Sequence, residues 1–328
     1  MRRALAALTF ALAPVSGAGA FDFKLAWPMD CTLGEDCFIQ QYVDRDPGPG
    51  TRDYTCGPLT YDGHKGTDIR LALENELGAD APQVLAAAPG VVVGIRNDMP
   101  EGFLGRPGAP SLEDVAGKEC GNGVVLDHGF GWVTQYCHMA QYSVAVEPGD
   151  EVDTGTALGQ IGASGATEFP HLHLSVRKDG ETVDPFVPDP SIECSTLAAT
   201  DTLWTTTPAY QSGVLLSVGS LDRVPDFNEV KRGLPPRPTA ERTAPLVLYG
   251  YAFGALPEDA FRFVLTGPDG TVFDRTVLLE KTQAQVFRAF GRRAPPDGWA
   301  AGQYQGEVTY RRDGQVIDRK EIMLRLTP

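Results

Sequence analysis

From residue 61 onward the chain is written as short apolar and β-branched runs broken by glycine, a punctuation that predicts strands. The runs VLAAAPGVVVGI, GNGVVLDHG, GWVTQYCHM and HLHLSVRKDGETVDP fall within residues 61–186 and predict a compact antiparallel β domain. Between them, VEPGDEVDTGTALGQIGASG alternates glycine turns with single apolar anchors, as small barrels do. Residues 205–328 hold a second set, including APLVLYGYAFG, AFRFVLTG and QYQGEVTYRR. There Asp269-Gly270 and Asp313-Gly314 mark tight hairpins. About seven short strands over roughly 120 residues predict an immunoglobulin-like β-sandwich. The chain is therefore expected to be all-β: a compact antiparallel domain with Gly-rich strands, followed by a sandwich. Arg96 to Glu119, rich in Gly, Pro and acidic residues, reads as a long surface loop that walls a cleft.

The first twenty residues, MRRALAALTFALAPVSGAGA, read as a secretory signal. Arg2 and Arg3 precede a short apolar stretch, and Ala18-Gly19-Ala20 is a small-residue cleavage pattern. No later stretch approaches the roughly 20 apolar residues a spanning helix needs, so no membrane span is expected. The expected location is exported, periplasmic or extracellular. The divisions expected are 1–20 signal peptide, 21–60 N-terminal arm, 61–199 first β domain, which holds all the histidines, and 200–328 accessory sandwich. Charge supports the last boundary. Residues 21–199 carry 10 Lys+Arg against 28 Asp+Glu, whereas residues 200–328 carry 16 against 15. An acidic first domain lacks the basic footprint of a nucleic-acid binder.

Six cysteines in an exported chain predict disulfides. Cys31 and Cys37 can close a tight loop through Gly34, and Cys120 and Cys137 flank a strand-turn-strand. Cys56 and Cys194 are left to each other. No Cys-x-x-Cys pair offers a thiolate zinc site.

All five histidines lie between residues 64 and 173. In GHKGTD, Gly63 and Gly66 argue against a helix, which puts His64 on a loop and Asp68 at a strand start. In PHLHLSV, strand alternation points His171 and His173 one way and Leu172 and Leu174 the other. Two imidazoles and a carboxylate, with one imidazole left over, match catalytic zinc, which keeps a position open for water. Spacing does not choose between His171 and His173. His138 is attractive beside such a site as a base or an oxyanion donor, and His128, at a hairpin turn, reads as structural.

GHKGTDIR, GNGVVLDHG, the Tyr-x-His of YCHM and GASGATEFPHLHLSV resemble, in this order, the lysostaphin/LytM-type zinc endopeptidases. The resemblance covers about residues 60–186. It implies Zn2+ held by His64, Asp68 and His173, with His138 and His171 as the catalytic pair. It also implies a substrate among the peptide cross-links or stems of bacterial peptidoglycan. Asn122 aligns with an asparagine that lies near the metal in latent family members. The common HLHFE ending is here HLHLS, with Ser175 in place of the acidic residue. The resemblance also allows a non-catalytic LytM-like regulator that binds and activates a wall amidase, a role in which family members often lack ligands. Every expected position is filled here. The sandwich, residues 200–328, is a candidate surface for a protein partner or for the wall.

Overall fold

The computed structural model describes residues 22–192, 194 and 201–327, so the expected signal at residues 1–20 lies outside the described residues. Ten strands precede residue 183: β1 (Cys37–Gln41), β2 (Thr67–Leu71), β3 (Gln83–Leu85), β4 (Gly90–Arg96), β5 (Asn122–Asp127), β6 (Trp132–Met139), β7 (Glu151–Val152), β8 (Ala157–Gln160), β9 (His171–Lys178) and β10 (Glu181–Thr182). Eight of them build one antiparallel sheet in the order β1-β2-β9-β6-β5-β4-β7, with β10 added to β9. β3 and β8 pair separately.

β9 is central because its alternation serves two environments. Leu172 and Leu174 are fully buried in the core, each worth about 1.5–3 kcal/mol on burial, and His171 and His173 stand on the other face. β1 falls in the stretch read as an arm. It adds an edge strand to β2, with Cys37↔Leu71 and Ile39↔Ile69 opposed. The sequence hides it because Cys37, Phe38, Ile39 and Gln40 are all buried. Both faces are covered, and no alternation is left to read.

The second half forms β11 (Val214–Leu221), β12 (Thr239–Glu241), β13 (Leu246–Ala255), β14 (Ala260–Gly267), β15 (Gly270–Leu278), β16 (Gln283–Arg292), β17 (Gly302–Arg312) and β18 (Gln315–Thr327). A three-stranded sheet, β11-β13-β16, packs on a five-stranded one, β12-β18-β17-β14-β15. Leu248, Phe261, Phe263, Val308 and Leu324 fill the space between them. The expected sandwich is present, with one strand more than the sequence suggested. The extra strand, β12, follows the proline run LPPRP and pairs in parallel with β18 over three residues. A short helix, α1 (Phe227–Arg232), is started by a capping box between Asp226 and Glu229.

Strand β13 is buried along its whole length because it faces two cores. Leu246, Leu248 and Ala252 point into the sandwich. Tyr249, Tyr251 and Phe253 join a second core with Phe38, Leu59 and Leu71 of the first half. The two halves therefore share apolar packing.

The three disulfides are Cys31–Cys37, Cys56–Cys194 and Cys120–Cys137, the pairings expected from the sequence. Among the described residues no helix is long and apolar enough to cross a membrane.

Candidate metal centre

Three adjacent strands assemble the histidine cluster. β2 and β9 are in register with Asp68 opposite His173 and Arg70 opposite His171. β9 and β6 are in register with Cys137 opposite His173, which brings His138 alongside. His64 lies on the loop before β2, as the glycines around it predict.

His64 Nε2 lies 3.1 Å from Asp68 Oδ1 and 3.2 Å from His173 Nδ1, and His173 Nδ1 lies 2.8 Å from the same Asp68 oxygen. His64, Asp68 and His173 offer ligand atoms all within 4.8 Å of one another. Both rings are held from behind. His64 Nδ1 donates to the Tyr42 carbonyl at 2.7 Å, and His173 Nε2 donates to the Ser175 hydroxyl at 3.0 Å. Each donation leaves the opposite nitrogen as a lone pair turned toward Asp68, the way metal-binding histidines are oriented. Two imidazole lone pairs and a carboxylate oxygen converging in a buried space repel one another unless a cation joins them. The donor set therefore fits a divalent metal of the zinc type. Asp68 is 2% exposed, and although burial opposes its charge, the His64 and His171 imidazoles hold its carboxyl well below the usual range. For His64, burial disfavours protonation, but Asp68 and the Tyr42 carbonyl outweigh it and raise the pKa.

His171 stands next to this trio. Its Nε2 is 3.7 Å from Asp68 Oδ1, and its Nδ1 donates to the Phe169 carbonyl at 2.9 Å. His138 faces it with ring centroids 4.5 Å apart and donates from Nδ1 to the Ser164 carbonyl at 2.8 Å. Burial lowers both pKa values, and for His138 the neighbouring His171 and His173 lower it further. The pair is thus neutral near pH 7, with both Nε2 atoms free to accept a proton. His138 has a positive φ of 64°, an uncommon backbone state for a residue with a side chain. It is pinned by its own N–H to the Cys120 carbonyl and by the adjoining Cys120–Cys137 disulfide.

Asn122 is fully buried, and its amide bonds Met99 in both directions, at 2.8 Å each, and the Met139 carbonyl. It holds the start of the long loop rather than joining the cluster. His128 bridges the Pro89 carbonyl and the Thr134 hydroxyl, each at 2.7 Å, a structural arrangement. The Arg96–Glu119 loop contributes Leu104 and Leu112 to a cleft of about 360 Å³ that contains Asp68, His138 and His171. The sequence carries no sign of Tyr42, because its contribution is a backbone carbonyl on the arm. Nor does it suggest Gln285, which reaches the cleft from β16.

Gly66 is required by close approach. A Cβ there would sit 2.5 Å from His173 Cε1 and 2.9 Å from the Leu174 carbonyl. Gly66→Ala is expected to cost about 1–3 kcal/mol of stability through overpacking. It should also lower metal affinity by displacing the His173 ring. Thermal melting with and without added zinc checks both, and an unchanged zinc-induced shift would count against the close approach.

Residues 62–185 match the model of peptidase family M23. Among curated relatives, the protein named DD-carboxypeptidase/endopeptidase Mpg of Neisseria meningitidis serogroup B is 32% identical over 94 residues, which are 28% of this chain and 21% of that protein. Cell division protein DipM of Caulobacter vibrioides is 36% identical over 73 residues, 22% of this chain and 12% of that protein. The chain thus spans about a fifth or less of the length of these relatives. Among solved structures, the catalytic domain of the antimicrobial peptidase lysostaphin from Staphylococcus simulans aligns with a TM-score of 0.29 and 19% identity, covering 44% of this chain and 86% of that one. The segment that matches peptidase family M23, residues 62–185, is the one that carries the histidine cluster.

Proposed function

We propose that the protein is an exported zinc metalloendopeptidase that cuts peptide bonds in the cross-links or stems of bacterial peptidoglycan. The observation that carries this reading is the convergence of His64 Nε2, Asp68 Oδ1 and His173 Nδ1 beside two neutral imidazoles in one cleft. His64, Asp68 and His173 would hold the zinc, which would supply a polarising cation and a water of near-neutral pKa.

The roles of the chain's own residues follow from their hydrogen bonds. His138 and His171 both commit Nδ1–H to a carbonyl, so each presents Nε2 as a proton acceptor. One of them takes the proton of the attacking water. The imidazolium so formed becomes a donor, able to bond the oxyanion that develops on the substrate carbonyl and then to protonate the leaving amine. The carbonyls of Phe169 and Ser164 keep the two rings oriented through the cycle. Three disulfides suit an oxidising compartment outside the cytoplasm.

The test is digestion of purified sacculi, with released muropeptides read by mass spectrometry. Wild type is expected to release products, and His138→Ala to release none while retaining zinc. Losing a positioned acid–base group costs about 10²–10⁴-fold in rate. Zinc-loaded wild type that leaves sacculi intact would remove the peptidase reading in favour of a binding or regulatory role.

A further inference from the structure

His171 takes its place from the residue two positions before it. Its Nδ1 donates to the Phe169 carbonyl at 2.9 Å, and the Phe169 ring stacks on the imidazole with centroids 4.5 Å apart. The Thr167 hydroxyl donates to the same carbonyl at 2.7 Å. Phe169 is buried, so whatever fixes its ring also fixes the imidazole.

That ring rests on Arg70. The pairing of β2 with β9 sets Arg70 opposite His171, and the guanidinium carbon lies over the Phe169 ring, 4.7 Å from its centre. A cation over a ring face is attracted by the ring quadrupole, more strongly where water is excluded, and Arg70 is 1% exposed. The guanidinium is itself held in orientation by its donors. Nε bonds the Leu71 carbonyl at 2.8 Å, Nη1 bonds Gln40 Oε1, and Nη2 bonds the Ala72 carbonyl at 3.2 Å and the Tyr251 hydroxyl at 3.1 Å. The fork is planar and rigid, so losing one acceptor lets the whole group turn. Three of these acceptors belong to the first half of the chain. The fourth, Tyr251, stands on β13 of the sandwich, and its hydroxyl proton goes to Gln285 Oε1 on β16. A continuous run of contacts thus leads from Gln285 through Tyr251, Arg70 and Phe169 to His171.

Charge does not account for this arrangement. Burial raises the Glu76 pKa and Arg70 works against it, so one carboxylate already lies in the field of the guanidinium. Asp68 and Glu168 line the cleft as well. These carboxylates offset the guanidinium charge, and what reaches His171 is contact rather than potential.

We propose that Arg70 and Tyr251 are positioning residues for His171, through which the sandwich holds a catalytic ring in place. The second half of the chain is then part of the machinery that sets the rate. This inference rests on the peptidase reading for its consequence, and a spectroscopic readout keeps the two apart.

The full zinc-loaded chain and its Tyr251→Phe variant are compared on a soluble cross-linked muropeptide dimer, and the histidine rings are followed by NMR after isotopic labelling. Tyr251→Phe removes one oxygen, so the Arg70 fork loses an acceptor and Gln285 loses a donor. kcat is expected to fall about tenfold, with KM within about twofold and zinc content kept, because a small displacement of a reacting group costs rate and not uniform binding. The His171 signal should move, since it lies against the Phe169 ring, while that of His128, bonded to Pro89 and Thr134, stays. Gln285→Leu, which withdraws the acceptor of the Tyr251 hydroxyl, should move the same signal. Phe169→Leu should lower kcat by about tenfold or more on its own, and adding Tyr251→Phe should cost less than about twofold further, since both act through one contact. An unmoved His171 signal, an unchanged kcat, a change in KM alone or fully additive losses in the double variant overturn the positioning. A moved His171 signal in a protein whose wild type leaves the dimer intact sinks the peptidase reading alone.

Discussion

His173→Ala is expected to abolish both zinc binding and cleavage. In the proposed site His173 is one of three donors, and its Nδ1 is 2.8 Å from the Asp68 oxygen that would share the metal. With two donors left, the retained affinity belongs to a loose surface site rather than to a catalytic one. A metal-bound water has a pKa near 7 against about 15.7 in bulk. Losing it should lower the rate by roughly 10⁴-fold or more, beyond detection in a sacculus assay. A second readout separates metal loss from misfolding. A ligand at about a hundred times its Kd adds about 2.7 kcal/mol to stability, so zinc should raise the melting temperature of wild type and not that of the variant. His171→Ala is the informative control. Its ring nitrogen lies 3.7 Å from Asp68, farther than either proposed histidine ligand. Zinc lost from His171→Ala and kept by His173→Ala would exchange the two assignments.

Removing the Cys56–Cys194 bond, by serine at both positions, is expected to be the most destabilising single cross-link change. The bond closes 138 residues of chain, against 6 for Cys31–Cys37 and 17 for Cys120–Cys137. The loop-entropy relation assigns it roughly 5 kcal/mol, with about 2 and about 3 for the shorter loops. Its surroundings amplify the effect. Arg45 reaches from the arm to Asp184 and to the carbonyls of Val187 and Ile192, and Tyr54 stacks on Phe186 at 4.6 Å. These contacts hold the same two segments together and lose their preset alignment when the bond is gone. A fall of about 10 °C or more in melting temperature is expected. A double-serine variant melting within about 2 °C of wild type would show that packing alone sets this closure.

The chemistry of the cluster was legible because strands make it so. His-Leu-His on an apolar strand places two imidazoles on one face by pleat alone, and the glycines around His64 put it on a loop with Asp68 in the strand that follows. The choice of His173 over His171 was not in the spacing. It came from family resemblance, and its test is the pair of variants above. The wall of the cleft was illegible for a different reason. Gln40, Arg70, Tyr251 and Gln285 are far apart in sequence, each is unremarkable alone, and only packing of β13 against β1 and β2 joins them. β1 was hidden by burial on both faces, and β12 by a proline run and a length of three residues. The capping box at Asp226 and Glu229 was present in the sequence, but it starts a helix of only six residues.

The two faces of β9 have a consequence for how such a chain can change over generations. The pleat acts like a reading frame: its odd positions, His171 and His173, face the histidine cluster, and its even positions, Leu172 and Leu174, face the core. Deleting or inserting one residue between Pro170 and His171 while keeping the pairing would send the imidazoles into the core and the leucines into the cleft. Point substitutions elsewhere in the strand can be absorbed one at a time, whereas a shift of frame strikes folding and chemistry together. Changes of length are therefore expected to be tolerated in loops such as Arg96–Glu119, where the cleft can be reshaped without moving the register that defines it.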